Sequence, residues 1–149
     1  MVNESTDNQL NVVAVASSEQ TRATLFQLLQ ELGFVNFSGV HIELSDAAML
    51  CSQSEKIDVL IVELTGRELD AKLFMQTIGM GENAPVIYAV HKEFDQDIIQ
   101  QAIQDGAKDF FSFPDEAERL SNLIVQCFEE KNAPEEEESK KGQVIAVFS

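Results

Sequence analysis

Apolar residues recur in short continuous runs that alternate with segments of helical periodicity, and this alternation is the strongest constraint on the fold. The clearest runs cover residues 12–16, 59–62 and 86–90, and weaker ones cover residues 37–42 and 109–113. Runs that are apolar at every position are typical of parallel strands covered by helices on both faces. The sequence therefore predicts an α/β fold, a doubly wound five-stranded parallel sheet with strand order 2-1-3-4-5.

Polar residues before the helical segments predict where the helices start. Ser17 with Gln20 and Asp115 with Glu118 have the spacing of a capping box, and Asp95 is a predicted N-cap. Each of these helices is thus expected to begin soon after a strand, as in a repeated βα unit.

Composition divides the chain into four parts. Residues 1–10 are expected to be a flexible N-terminus, and residues 11–131 hold the βα units. Residues 132–142 are rich in glutamate and lysine, which is typical of a solvated linker. Residues 143–149 are apolar, like a buried strand, so we expect the chain to be cut at the first strand of a second domain.

The formal net charge of −16 at pH 7 limits the possible partners. Nucleic acids and anionic membrane surfaces attract clustered lysine and arginine, so protein partners are expected instead. No apolar run is long enough for membrane insertion, and residues 1–9 lack a targeting signal, so we expect a cytoplasmic protein. Cys51 and Cys127 lack metal-ligand spacing, and neither a metal nor another cofactor is predicted.

Functional residues of a doubly wound sheet collect at the carboxyl ends of its strands. In this chain those positions hold, in order, Ala16, Ser17, Ser18, Glu63, Val90, His91, Phe113 and Pro114. Neither His41 nor His91 has a serine or cysteine partner at triad-like spacing, and each is expected to be a surface or loop residue. No catalytic residue is predicted, which favours a binding module over an enzyme.

The segment 106–114, GAKDFFSFP, resembles the part of response-regulator receiver domains in which a glycine–alanine turn leads through the fifth strand to a lysine and a cis-proline. Arg22 and the leucines after it also resemble the first receiver helix. The resemblance covers residues 11–131 and implies a CheY-like, flavodoxin-like fold.

The resemblance also implies a receiver phosphorylation site that lacks the residues needed for phosphotransfer. Receivers bind Mg²⁺ through an acidic pair after the first strand and accept phosphate on an aspartate after the third. They sense the phosphoryl group with a hydroxyl after the fourth strand and neutralise it with a lysine after the fifth. The matching positions here hold Ala16, Ser17, Glu63, Val90 and Phe113. Because Mg²⁺ needs hard oxygen ligands and a phosphoryl group needs positive charge, we expect neither phosphotransfer nor bound Mg²⁺.

Two positions of this site keep a possible role. Glu63 could mimic a phosphorylated aspartate, although a partly exposed polar residue at a strand end is the simpler interpretation. Pro114 is the one match to the receiver site, and we expect the Phe113–Pro114 bond to be cis.

Residues 141–149, KGQVIAVFS, resemble the opening of MinD/ParA-type P-loop ATPases, whose first strand leads into a phosphate-binding loop. A degenerate receiver joined by an acidic linker to such an ATPase resembles the CpaE/TadZ family of Flp (Tad) pilus assembly proteins. This implies a cytoplasmic protein that contacts pilus or secretion machinery, or polar factors, at a cell pole. Two alternatives stay open: a phosphorylatable response regulator with an atypical site, and a pseudo-receiver attached to another output domain.

The last helical segment carries more apolar residues than one buried stripe requires, namely Leu120, Leu123, Ile124, Cys127 and Phe128. Part of this surface is expected to be exposed, and the receivers that the chain resembles commonly pair through the surface of their fourth helix, fifth strand and fifth helix. We therefore expect a constitutive homodimer with contacts drawn from Ile98, Leu123 and Phe128 or their neighbours.

Overall fold

The structure, a computed structural model, describes residues 9–53, 56–81 and 83–132. Within these residues the strands are β1 (Leu10–Val15), β2 (Val35–Asn36), β3 (Val40–His41), β4 (Val59–Glu63), β5 (Val86–His91) and β6 (Asp109–Ser112). The helices are α1 (Glu19–Glu31), α2 (Leu44–Cys51), α3 (Glu68–Gly79), α4 (Gln96–Gln104) and α5 (Ala117–Lys131).

All paired strands run parallel, in the order β2-β1-β4-β5-β6, and β3 also pairs with β1. The predicted doubly wound sheet and its strand order are confirmed, with β2 and β3 together in the place of the second predicted strand. Gly39 separates these two short pieces at a φ of 108°, a left-handed conformation that favours glycine. The piece β2 therefore pairs with the start of β1, and β3 pairs with its end.

Helices cover both faces of the sheet and form two apolar cores. Val12 of β1 lies with residues of α1 and α5, whereas its neighbour Val13 lies with residues of α2, α3 and α4. The same alternation sends Phe111 and Phe110 of β6 to opposite cores. Burial on both faces explains why the runs in the central strands are apolar at every position.

The predicted cap of α4 is confirmed, and that of α1 is wrong. Asp95 caps α4, and its carboxylate accepts two backbone N–H groups of the first turn. The box predicted for Ser17 and Gln20 does not form, because α1 begins at Glu19 with Ser18 in the cap position. The hydroxyl of Ser18 makes no cap bond, since it is bound elsewhere in the fold.

The helix α5 also starts differently from the prediction. Glu116 occupies the cap position, and its carboxylate accepts the backbone N–H of Ser112 at 2.8 Å and pairs with Arg119 at 3.2 Å. The capping box of Asp115 with Glu118 is therefore wrong. A bond to the end of β6 fixes the start of α5 in its place.

Hydrogen bonds join the C-terminal end of the described domain to its N-terminal end. Lys131 Nζ donates to the carbonyl of Gln9 at 2.6 Å and to Asp58 Oδ2 at 2.9 Å. Leu10, expected to belong to a flexible N-terminus, is instead the first residue of β1 and is 1% exposed. That predicted boundary is wrong because the side chain of Leu10 joins the core.

Residues 1–8 and 133–149 lie outside the described residues. They hold the rest of the predicted N-terminal segment, almost all of the predicted acidic linker and the predicted strand of a second domain. Within the described part of the chain, no helix combines the length and the apolar character needed to cross a membrane.

Candidate functional site

The carboxyl ends of β1, β4 and β5 meet at the sheet edge where function was expected. The strand β4 lies between the other two, with Val62 opposite Val15 and Glu63 opposite Val90. Ala16 directly follows β1 and is fully buried. The structure thus brings the positions of Ala16, Glu63 and Val90 together, as the sequence predicts for this fold.

Glu63 is fully buried, and both oxygens of its carboxylate are bound. Oε1 accepts the backbone N–H of Ser18 at 2.9 Å. Oε2 accepts the hydroxyl of Ser18 at 2.7 Å and that of Thr21 at 3.1 Å. The expectation of a partly exposed glutamate is wrong, because the carboxylate reaches from the end of β4 to the first turn of α1.

The start of α1 is a favourable place for a negative charge. The first N–H groups of a helix have no partner within the helix, and the helix dipole gives that end a partial positive charge. Bonds from N–H and O–H donors to a carboxylate are charge-assisted, and they are stronger than bonds between neutral groups. Glu63 therefore caps α1 from the neighbouring strand, in place of the side chain of Ser18.

Ser17 lies beside this arrangement and takes no part in it. The residue is exposed, and its carbonyl accepts a bond from Arg22 Nη1 at 2.8 Å. Thr21 is the site residue that the sequence reasoning missed, and it is 3% exposed. Its spacing of three residues from Ser18 puts both hydroxyls on one side of α1, and that spacing is the signal that could have identified it.

The end of β5 contributes a buried histidine. His91 is 4% exposed, its Nδ1 accepts the backbone N–H of Glu93 at 3.0 Å, and its Nε2 lies 2.8 Å from Glu68 Oε2. Because Nδ1 accepts a hydrogen bond, the ring proton is on Nε2, and this N–H donates a hydrogen bond to the carboxylate of Glu68. This bond lowers the pKa of the Glu68 carboxyl below its ordinary value. The expectation of a surface or loop residue is wrong for His91, since Glu68 and Glu93 satisfy its ring.

The residue that follows β6 is Phe113, which carries no charge. Phe113 is 2% exposed and belongs to the core with α1 and α5. The Phe113–Pro114 bond is cis, as predicted. An apolar ring therefore stands where the resemblance to receivers would place a lysine.

The residues at this edge do not fit a magnesium ion. Mg²⁺ takes oxygen ligands in near-octahedral geometry and is held in proteins through carboxylates. The carboxylate of Glu63 already accepts three hydrogen bonds from α1 and the residue before it. Among the residues that the structure describes, no three His, Cys, Asp or Glu side chains are grouped as possible metal ligands.

The side chains predicted to form dimer contacts pack within the domain. Leu123 and Phe128 lie against the core of α1 and α5, and Phe128 stacks on Phe34 with ring centroids 4.2 Å apart. Ile98 packs against the opposite core. Leu123, Cys127 and Phe128 are only partly buried, so these side chains keep some of the exposed surface that the sequence predicts for α5. The homodimer itself stays a prediction.

Several solved structures that share this architecture are receiver domains or response regulators. The signal receiver domain of NarL from Mycobacterium tuberculosis aligns with a TM-score of 0.70 and 18% identity, over 81% of this chain and 97% of that one. A response regulator from Thermotoga maritima aligns with a TM-score of 0.66 and 19% identity, over 80% of this chain and 98% of that one. The chain has the receiver fold.

A third solved structure with the receiver fold is described as a CpaE2 pilus assembly protein from Sinorhizobium meliloti 1021. It aligns with a TM-score of 0.62 and 14% identity, over 79% of this chain and 99% of that one. No protein-family model matches the sequence, and no curated protein matches it. At these identities the likeness shows the receiver fold alone, so the chemistry depends on the residues described above.

Replacing Glu63 with alanine tests the bonds between β4 and the start of α1. The variant leaves the donors of Ser18 and Thr21 without their buried acceptor, so we expect the free energy of unfolding to fall by about 2–3 kcal/mol. Glu129→Ala is the matched control, because Glu129 is exposed on α5, and its effect should stay within about 0.5 kcal/mol. Equilibrium unfolding in urea measures both changes. Equal, small effects of the two substitutions would contradict this description of Glu63.

Proposed function

We propose that this is a receiver-like protein-interaction domain that does not accept phosphoryl groups, and that it belongs to a pilus assembly ATPase of the CpaE/TadZ type. The observation that carries the first part is the buried carboxylate of Glu63, which is bound by Ser18 and Thr21. Without a phosphoryl switch, such a domain binds its partners constitutively.

Glu63 is poorly placed to act as a phosphoryl acceptor. The attacking oxygen must be free to line up with the phosphorus of the donor. Both oxygens of Glu63 face donors of α1 and the residue before it, and the side chain has no exposed surface. An attack would require these bonds to break and the start of α1 to move away from β4.

The neighbouring positions also lack the groups that stabilise a phosphoryl group in transfer. Ala16 and Ser17 offer no carboxylate pair for Mg²⁺. Val90 has no hydroxyl, and Phe113 is buried in the core where a lysine would be needed. Because this kind of catalysis is mainly electrostatic, the proposal draws support from the ends of four strands and not from Glu63 alone.

A protein partner is supported by the charge of the chain. A net charge of −16 repels nucleic acid and anionic lipid, and both of these bind through clustered lysine and arginine. On this proposal the domain recognises proteins of the pilus or secretion machinery, or polar factors, by direct contact.

The pilus role is supported by two observations of different kinds. The fold is shared with the structure described as a CpaE2 pilus assembly protein. Independently, the sequence at 141–149 resembles the opening strand of MinD/ParA-type ATPases and follows an acidic segment. On this proposal the protein is cytoplasmic and is recruited to a cell pole.

Incubation of the chain with acetyl phosphate and Mg²⁺, followed by intact-mass spectrometry, tests the first part of the proposal. We expect no covalent phosphoryl group on this chain, because its one buried carboxylate at the site is already bound. A receiver domain with an intact aspartate site, treated in parallel, should gain one. A stoichiometric adduct that disappears in Glu63→Gln would instead favour a phosphorylatable response regulator with an atypical site.

The sequence that follows Ser149 in the gene tests the second part. We expect a glycine-rich phosphate loop directly after the apolar run at 143–148, because that loop joins the first strand of a P-loop ATPase to its helix. A helix-turn-helix at that point would contradict the pilus ATPase. It would favour a pseudo-receiver attached to another output domain.

A further inference from the structure

An apolar groove lies between α3 and α4. Its volume is about 180 Å³, and its apolar lining consists of Leu64, Met75, Ile98 and Ala102. A space of this size can accept one large aliphatic or aromatic side chain, since cavities of about 150 Å³ hold a benzene molecule.

The rim of this groove is acidic. Its polar lining consists of Glu68, Asp97, Gln101 and Asp105, and no lysine or arginine lines it. Asp97, Gln101 and Asp105 follow one another at a spacing of four residues, so they form a row along one side of α4. Glu68 stands across the groove, at the first residue of α3.

No lysine or arginine among the described residues pairs with the carboxylates of the rim. Asp105 is 6% exposed, and its Oδ1 accepts bonds from the neutral amides of Gln76 and Gln101 at 3.1 and 3.2 Å. Glu68 accepts a bond from His91, which lowers the pKa of its carboxyl. The described salt bridges do not include Asp97 or Asp105. A buried carboxylate with neutral partners is costly, and an added cation would offset that cost.

We propose that this groove docks a basic segment of a partner protein, with an aliphatic side chain between α3 and α4 and lysines or arginines against Glu68, Asp97 and Asp105. The stems of lysine and arginine can cover apolar surface while their charged ends meet carboxylates. A second copy of this chain fits less well, because a net charge of −16 brings like charges together at the contact.

The inference rests on the proposed interaction role and names the chemistry of the partner. The groove is formed by α3 and α4, whereas the carboxylate of Glu63 is bound at the start of α1. The two can therefore be altered separately. Failure of groove binding would leave the account of Glu63 intact, and a phosphoryl adduct would leave the groove prediction intact.

The probe is a synthetic peptide of about 14 residues with leucines on one helical face and lysines on the other, long enough to form a helix when bound. It is titrated into the full, isotope-labelled chain, and binding is followed by NMR. We expect saturable shifts at Ile98, Gln101 and Ala102. Binding should weaken in about 1 M salt, where the Debye length falls to about 3 Å, and a twin peptide with glutamates in place of lysines should not bind.

Two double variants carry the same change of charge on different surfaces. Asp97→Lys with Gln101→Lys alters the rim, and Glu129→Lys with Gln126→Lys alters α5 on the other face of the sheet. All four side chains are exposed, so both variants should fold. We expect the rim variant to weaken peptide binding about tenfold and the α5 variant by less than about twofold. If the rim variant is unstable, Gln101→Lys alone is compared with Gln126→Lys alone, because position 101 lies beyond the first turn of α4 and both changes add one positive charge.

Other results would overturn the proposal. Equal weakening by both double variants would show non-specific attraction to an acidic protein. Sedimentation of a dimer that the rim variant converts to a monomer would identify a second copy as the occupant. Resonances of residues 143–148 that move in the rim variant without peptide would identify the tail of this chain as the occupant.

Discussion

The bonds between Glu63 and the start of α1 are the constraint on which the candidate site depends. The carboxylate lies at the end of β4, and its donors on Ser18 and Thr21 stand 45 and 42 positions earlier in the chain. The strand β1 has β2 on one side and β4 on the other, and in doubly wound sheets ligands bind where the strand order reverses in this way. Here a side chain of the protein itself occupies part of that position.

On the proposed function, a carboxylate that is bound inside the fold leaves recognition to permanent features of the surface. Val90, the next-to-last residue of β5, and Phe113, directly after β6, carry neither the hydroxyl nor the positive charge that would respond to a phosphoryl group. Other carboxylates line the groove between α3 and α4, where Asp97 and Asp105 form none of the described salt bridges. The fold thus combines a closed site at one position with an acidic, apolar-lined groove at another.

The sheet could be predicted from the sequence because the information that specifies it is local. Apolar runs such as 59–62 report burial on both faces, and the alternation of strands with helices leaves few possible topologies. Phe110 and Phe111 illustrate the same point, because adjacent rings in a strand must face opposite cores.

The partners of the polar side chains could not be predicted in the same way. The hydroxyl of Ser18 bonds to β4 and the carboxylate of Glu116 bonds to the end of β6, so neither cap follows the local rule. His91 likewise bonds to Glu68, which lies 23 positions away. These pairings are set by the packing of distant elements, and a single sequence carries no periodic signal for them.

Titration of Mg²⁺ into the isotope-labelled chain, followed by NMR at the backbone amides of Ser18 and Glu63, is the most direct measurement of whether the site is closed. We expect no saturable shift at either amide at millimolar Mg²⁺, because the carboxylate of Glu63 is already bound by its donors on Ser18 and Thr21. A saturable shift at both amides would show that the carboxylate exchanges these donors for the metal, and it would contradict a closed site.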